Sequence, residues 1–500
     1  RRAAATRPAR QPQRGRCDGC APGPMSAGGG AAEPLSRTAA AGPGGASYGA
    51  AEAGGAAGEG CSGRLLALVL CLCCAVVAEG YDIGVLNGVA VRIQDEFGFG
   101  AFRIGVIISV TPLFVIMGSG LGGWLADHYG RQRALAATLC FLVVGPVVMS
   151  LANGFDLLVI GRALVGTGIG AGLVVVSAYI AEIAPASLRG RFVGIEEVSL
   201  NVGMLLGYIA NWAMVGLEDD WRYMLALGSL FNLAVMAALV LGCIPESPRW
   251  LMLHGRDEEA SAILARFTGA REAAGALRAW KAVPRAGPVA PVAALWPLDP
   301  PMRRALTAGI VVGVAQTCCG YLAVAYYSSK VMSRVMGERQ AFLNTVIMGL
   351  IKTLVVVAVV FRVDDIGRRT ALLASTAGTA GGCVWVAVAF HNAWNPWALA
   401  AGFWIFMAGF SLGLGPVTFV YVAEIFPTEL RGKAMGVVIL FSRVVATAST
   451  LAFPLMTEGL GVPTTFLAQA AVNVCLCAAL AAAVRETRGL PLEEVKGAFA

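Results

Sequence analysis

The sequence predicts an all-α membrane protein whose twelve transmembrane helices form two pseudo-symmetric six-helix halves, and three observations carry that prediction. The first is composition: 57% of the residues are hydrophobic and 14% charged, with a mean hydropathy of +0.70. A soluble globule of this size needs more polar surface than that. The second is a series of apolar stretches of about 20 residues, the length that crosses a hydrocarbon core roughly 30 Å thick. The third is duplication. Tyr179-Ile-Ala-Glu-Ile-Ala-Pro-Ala-Ser-Leu-Arg-Gly190 returns, about 240 positions later, as Tyr421-Val-Ala-Glu-Ile-Phe-Pro-Thr-Glu-Leu-Arg-Gly432. In the same order and at nearly the same offset, Asp127-x-x-Gly130-Arg131 returns as Asp364-x-x-Gly367-Arg368, and Glu246-Ser247 as Glu486-Thr487. Such repeats between apolar spans mark a duplicated membrane domain, a design of transporters whose site lies between the halves.

Taken in order, residues 1–63 are rich in Ala and Gly and hold too few large apolar side chains to offset ordering entropy, so disorder is expected there. Met25 is the expected start, with 1–24 as upstream translated sequence. No cleavable signal peptide is evident, and the first span would serve as the insertion signal. The first half, 64–245, places its spans near 65–91, 104–125, 134–152, 157–180, 191–213 and 223–243. A cytoplasmic linker, 246–303, contains short amphipathic helix candidates at 257–265 and 271–280, then Pro-rich sequence. The second half, 304–486, places spans near 304–328, 341–362, 369–390, 396–421, 433–457 and 464–484, and a tail, 487–500, follows.

Loop charges orient the chain. Arg131, Arg133, Arg189, Arg191, Arg362, Arg368, Arg369, Arg431 and Lys433 fall on one side, which is cytoplasmic by the positive-inside rule. Asp95, Glu96, Asp156, Glu218 to Asp220 and Glu458 fall on the other, with Arg334 and Arg339 as exceptions. Both termini are then expected inside. The net charge of +7 does not indicate a nucleic-acid partner, because Arg1, Arg2, Arg7, Arg10, Arg14 and Arg16 against Asp18 supply most of it before Met25. Ten of the 13 cysteines lie in or beside apolar spans and read as small buried side chains, while Cys17-x-x-Cys20 stands alone and does not read as a metal or redox site. No Gly-x-x-x-x-Gly-Lys-Ser/Thr loop argues for an ATP-driven pump, and three histidines argue against a haem or metal oxidoreductase.

A further set of motifs, Gly80-Tyr-Asp-Ile-Gly84, Gly123-Trp-Leu-Ala-Asp127, Gly161-Arg162, Glu182 to Gly190, Pro245-Glu-Ser-Pro-Arg-Trp-Leu251, Gly367-Arg-Arg369 and Gly413-Leu-Gly-Pro416, runs through both halves. On these the chain resembles the sugar transporters of the major facilitator superfamily over roughly residues 64–495. Asn201-Val-Gly-Met-Leu-Leu-Gly-Tyr208 and Gly489-Leu-Pro-Leu-Glu-Glu494 further resemble the plant polyol and monosaccharide proton symporters.

The loop motifs read as a cytoplasmic latch. Glycines at Gly123, Gly130 and Gly367 allow tight reversals and close helix approach, and neighbouring carboxylates and arginines can pair. Pro185 and Pro427 interrupt their helices, so the Glu and Arg of each repeat need not share one. The resemblance implies an inner-gate network of Asp127, Arg131, Glu182, Arg189, Glu246, Arg249, Asp364, Arg368, Glu424 and Arg431. The alternative is that these charges only set topology.

Ionisable residues inside spans are functional candidates. Glu79 and Asp82 are one turn apart in the first span, and Arg162 lies early in the fourth. The resemblance places Asp82 and Arg162 as the proton-coupling pair, with a purely structural ion pair as the alternative. It places Glu197, Gln316, Thr317, Gly320, Lys352 and Phe419 at the substrate site, and Tyr326 and Tyr327 at an outer gate, with interfacial anchoring as the alternative for the tyrosines. Glu197 and Lys352, one from each half, are expected to pair across the interface, since isolated charges there are costly. Glu196 lies about 100 degrees round the helix from Glu197 and is not expected in the cavity. Arg443 is a further candidate, with packing or snorkelling as the alternative.

Several positions depart from the family pattern: Thr317 for a second Gln, Leu322 for Asn or Asp, Phe419 for Trp, Ser177 and Arg485 for Pro. A missing partner weakens binding of a hydroxylated ligand by roughly 1–3 kcal/mol. The expectation is a non-enzymatic secondary carrier of a polyol or monosaccharide, driven by proton symport through alternating access. It needs no cofactor beyond the proton and no metal, its partners are substrate, protons and bilayer, and it acts as a monomer. It is placed in the plasma membrane, or else a vacuolar or other internal one. A proton-independent facilitator and a non-transporting sugar receptor are the rivals.

Overall fold

The structure, a computed structural model, describes residues 63–185, 189–282, 299–360, 362, 366–426 and 428–488. The segment 1–62, the Pro-rich part of the linker, Asp364, Pro427 and the tail from 489 lie outside the described residues, as do the side chains of Arg189 and Arg431. Among the described residues every regular element is a helix. The first half comprises α1 (Gly63–Phe97), α2 (Ala101–Tyr129), α3 (Arg131–Ser150), α4 (Phe155–Ile183), α5 (Arg189–Met214) and α6 (Asp220–Val240). Three short helices follow, α7 (Pro248–Leu253), α8 (Asp257–Thr268) and α9 (Ala270–Ala282), the last two where amphipathic sequence predicts them. The second half comprises α10 (Pro300–Cys318), α11 (Tyr321–Met332), α12 (Glu338–Val360), α13 (Arg368–His391), α14 (Pro396–Ser411), α15 (Val417–Ile425), α16 (Thr428–Gly459) and α17 (Val462–Ala483).

Among the described residues, ten segments are long and apolar enough to cross a membrane, with α10 and α11 together making one of them. Counting α5, and α14 with α15, as the remaining two passages gives the twelve-helix membrane protein in two six-helix halves. The seventh and tenth passages differ from the continuous spans that hydropathy predicts. The seventh breaks at Gly320, whose φ of +91° only glycine adopts easily. The tenth breaks over Leu412-Gly-Leu-Gly-Pro416 between α14 and α15. Apolar composition carries no trace of either break, because broken helices are tolerated wherever they line protein rather than lipid.

The buried side chains divide unevenly along the membrane normal. At the end away from the arginine-bearing loops, one core joins both halves, with Tyr81, Met204, Tyr208 and Trp221 packed in the same cluster as Tyr326, Tyr327, Met348 and Phe453. Toward the arginine-bearing loops, two separate cores appear, one around Leu72, Leu139 and Tyr179 in the first half and one around Val312, Tyr421 and Val438 in the second. On the expectation that the arginine-bearing loops are cytoplasmic, the shared core would be the outer one.

Polar contacts between the halves follow the same division. The Asn87 amide of α1 donates to the Ala325 carbonyl of α11 at 2.6 Å and to Ser328 Oγ at 3.0 Å, and Ser329 Oγ donates back to the Asn87 carbonyl at 2.7 Å. Arg92, at the outer end of α1, bridges Asp220 of its own half at 3.0 Å and Glu338 of the other at 3.3 Å.

Candidate functional site

Two charge networks recur at the arginine-bearing ends. In the first half, Glu246 accepts the backbone N–H groups of Arg131 at 2.7 Å and Gln132 at 3.2 Å, so a carboxylate sits on the positive N-terminus of α3. The Arg131 guanidinium pairs with Glu182 at 2.9 Å and reaches Asp127 at 3.6 Å, and Ser247 Oγ donates to Glu182. In the second half, Glu486 accepts from the N–H groups of Arg368 at 2.8 Å and Arg369 at 3.1 Å, Arg368 pairs with Glu424 at 2.9 Å, and Thr487 Oγ1 donates to Glu424 at 2.6 Å. One departure has a local reason. Tyr179 donates to the Pro245 carbonyl, whereas Arg485, standing where the resemblance has proline, offers an N–H that donates to the Tyr421 hydroxyl at 3.2 Å.

Among the described residues, each of these contacts joins groups of the same half, while Asp364 and the side chains of Arg189 and Arg431 lie outside them. Helix-capping geometry explains the same-half contacts: a carboxylate that already accepts two N–H groups at its own helix N-terminus is held there. Arg249 is exposed and has no ion-pair partner among the described residues.

Gly130 and Gly367 make the cradle possible. Their φ angles are +91° and +85°, in a region essentially reserved for glycine, and a Cβ at Gly130 would lie 2.2 Å from Glu246 Oε2. Gly130→Ala is expected to lower stability by about 1–3 kcal/mol from backbone strain alone, and by more once Glu246 is displaced. Gly367→Ala, where the contact to Glu486 is 2.9 Å, should be milder. Thermal unfolding of the detergent-purified variants checks the order, and equal, wild-type melting for both would refute it.

Deeper in the membrane, Asp82 of α1 and Arg162 of α4 form an ion pair in which one guanidinium nitrogen, Nη1, reaches both carboxylate oxygens at 2.7 and 2.8 Å. Arg162 is 0% exposed and Asp82 7%. The Arg162 Nε also donates to the Ile107 carbonyl at 3.3 Å. Burial this complete places a strong, unscreened interaction inside the first half.

The residues expected at the substrate site are spread over four helices. Lys352 of α12 is 3% exposed, and its ammonium donates to the Tyr321 hydroxyl at 2.9 Å and contacts Met204 Sδ of α5 at 3.4 Å. The same ammonium lies 4.6 Å from the Tyr321 ring centroid, and Tyr321 stacks on Phe410 at 4.0 Å with planes 4° apart. Glu197 instead receives the Asn201 amide at 3.1 Å on its own helix, and Asn201 accepts from Thr353 Oγ1 of α12 at 3.4 Å through its carbonyl. The expected Glu197–Lys352 contact is therefore replaced by Lys352–Tyr321, with Glu197 acting on the lysine from a greater distance. A neutral hydroxyl and two ring faces satisfy the ammonium without a neighbouring carboxylate.

Gln316 of α10 donates to the Gly415 carbonyl at 3.4 Å, beside the break in the tenth passage. Thr317 is buried and bonds carbonyls of its own helix turn, at 3.2 Å to Val314, so its hydroxyl is already occupied. Gly320 lies against Gln469 of α17, whose amide donates to the Cys318 carbonyl at 2.8 Å. Phe419 is half-buried on α15, and the stacked pair is Tyr321 with Phe410 rather than Phe419. Tyr326 and Tyr327 are buried where α11 meets the shared outer core; Tyr327 donates to the Thr450 carbonyl at 3.3 Å. Glu196 turns away from Glu197 to accept a hydrogen bond from Ser177 of α4.

Sequence reasoning missed Tyr321, Phe410 and Met204. Tyr321 directly follows Gly320, so the helix break that aims it was the available signal; nothing in the sequence marks Met204 or Phe410.

With this geometry in hand, comparison with known proteins is informative. The family model described as "Sugar (and other) transporter" matches residues 67–499. The Arabidopsis thaliana protein named "Probable polyol transporter 4" is 32% identical over 436 residues, covering 85% of this chain and 82% of that protein. The "Arabinose-proton symporter" of Bacillus subtilis is 28% identical over 431 residues, covering 83% of this chain and 91% of that protein. Among solved structures, the xylose transporter XylE from E. coli, in a partially occluded inward open conformation, superposes with a TM-score of 0.75 at 23% identity. The superposition covers 86% of this chain and the whole of that one. The chain is thus an integral, multi-pass membrane protein with the major facilitator fold, and it belongs to the family of sugar and other transporters.

Proposed function

We propose that the protein is a proton-coupled symporter of a polyol or monosaccharide that works by alternating access between its two halves. The observation that carries the reading is the fully buried Asp82–Arg162 pair, set in the first half beside a polar, aromatic-lined interface with the second. An ion pair of this kind is expensive to bury and is usually retained for a role. Protonating Asp82 removes its charge, releases Arg162 from the ion pair and changes the relative energy of the two arrangements of the halves, which is what coupling requires.

At the interface, the Lys352–Tyr321 bond and the Glu197–Asn201 bond offer donors and acceptors that sugar hydroxyls can exchange with. The Tyr321–Phe410 stack offers a flat apolar face for a C–H surface. The shared outer core with two separate inner cores corresponds to a carrier closed to the outside. On this reading Tyr326, Tyr327 and the Asn87–Ser328 contacts form the closed outer gate, and the two capped charge networks keep each half rigid while the halves rock. The names of the relatives, a polyol transporter and an arabinose-proton symporter, support the substrate class and the coupling ion.

The test is uptake of labelled polyols, hexoses and pentoses into proteoliposomes with and without an imposed inward proton gradient. Accumulation of a polyol or monosaccharide above equilibrium only with the gradient is expected. Equilibration that ignores the gradient would make the protein a facilitator, and saturable binding with no internalised label would make it a receptor.

A further inference from the structure

Glu79 is 2% exposed, and its Oε1 has no hydrogen-bond partner among the described residues. It sits one turn before Asp82 on α1, yet the Asp82–Arg162 pair does not include it. Its carboxyl rests on the backbone of α4 at Gly172, where a Cβ would come within 2.3 Å of Oε1. On the other half, Arg443 of α16 is half-buried, and its Nε is buried without a hydrogen-bond partner. The two groups act on each other electrostatically without forming an ion pair in this arrangement of the halves. A buried polar atom left without a partner is costly, which holds for Oε1 on one side and Nε on the other.

The other groups facing Glu79 are accounted for. On α5 it faces Glu196, which accepts from Ser177 of α4. On α1 and α4 lie Asp82 and Arg162, paired through Nη1 of the arginine, whose Nη2 is buried without a hydrogen-bond partner. Tyr326 of α11 faces Asp82, Arg162 and Arg443. Neither α3 nor α6 brings a carboxylate or a basic side chain to that depth.

We propose that Glu79 is a second proton-carrying carboxyl of the transport cycle, whose ionised form is matched by Arg443 of the opposite half. This rests on the symport reading above. In the arrangement seen here, Oε1 of the buried carboxyl meets no hydrogen-bond partner among the described residues, an environment that favours the neutral form. When the O–H proton leaves toward the cytoplasmic side, past Glu196 and Ser177, the negative charge left on Glu79 draws in Arg443 and favours return of the empty carrier. Substrate exchange does not need that step, whereas net accumulation does.

Glu79→Gln, which freezes the neutral form, is therefore expected to reduce gradient-driven accumulation by about tenfold or more while exchange of internal for external labelled substrate stays near wild type. Glu79→Asp should recover part of the accumulation. Gly172→Ala, which pushes the carboxyl from its seat, provides a second variant with the same expected split should Glu79→Gln not reach the membrane. Wild-type accumulation in Glu79→Gln, or loss of exchange and accumulation together in both variants, would overturn the proposal. Wild-type protein assayed alongside separates the two levels: if it ignores the proton gradient, the symport reading itself fails and the proposal falls with it.

Discussion

Replacing Asp82 by Asn should abolish uphill, proton-driven accumulation and leave downhill exchange measurable. The substitution keeps the shape of the side chain and removes the charge that changes sign of interaction with Arg162. It also leaves a guanidinium that is 0% exposed without its counter-ion, a loss of about 3–5 kcal/mol for a buried pair broken from one side. Asp82→Asn protein is therefore expected to melt earlier and to express less, so transport has to be normalised to protein in the membrane. A double variant, Asp82→Asn with Arg162→Gln, separates the two effects. Removing both charges should restore much of the stability, because no unpaired ion remains, yet should not restore coupling. Stability and coupling recovering together would reduce the pair to a structural one.

The second large effect is expected at Lys352. Lys352→Met removes an ammonium that bridges Tyr321 and Met204 across the two halves. A charged hydrogen bond lost from a site for hydroxyls corresponds to about 1.5–3 kcal/mol, so KM for the transported substrate should rise roughly ten- to hundredfold. Tyr321→Phe keeps the stack on Phe410 and deletes only the hydroxyl, and should raise KM less. The informative quantity is the pairing of the effects. Lys352→Met and Tyr321→Phe together should fall well short of the sum of the singles, since they share one bond, while Glu197→Gln with Lys352→Met should come closer to additive. Strict additivity for Lys352 with Tyr321, and strong coupling of Lys352 to Glu197, would return the site to the direct ion pair that the sequence suggests.

The comparison of sequence and structure divides by the kind of information each feature needs. Span positions and the duplication were legible because each is local or periodic: apolar length and a repeated dodecapeptide. Asp82 and Arg162 were legible as candidates because a charge in an apolar span is conspicuous by itself. What could not be read was which conspicuous residue meets which. Lys352 was matched with Glu197 by charge, but the fold offers it a tyrosine hydroxyl and a ring face 4.6 Å away, and that depends on the bend at Gly320. The sequence marks the latch carboxylates as candidates, but not that Glu246 and Glu486 accept the N–H groups at the starts of α3 and α13. The role of Glu79 was hidden for the same reason, since its isolation is a property of neighbours on α4 and α16 rather than of its place in α1.

The account stands most directly on whether substrate carries protons with it. Proteoliposomes holding the wild-type protein and a pH-reporting dye, with no gradient imposed at the start, provide the measurement. External addition of the polyol or monosaccharide identified by uptake should acidify the interior in step with substrate entry, and Asp82→Asn vesicles should show entry or exchange without acidification. Substrate entry at an unchanged internal pH in the wild-type protein would contradict proton coupling and leave a facilitator on the same fold.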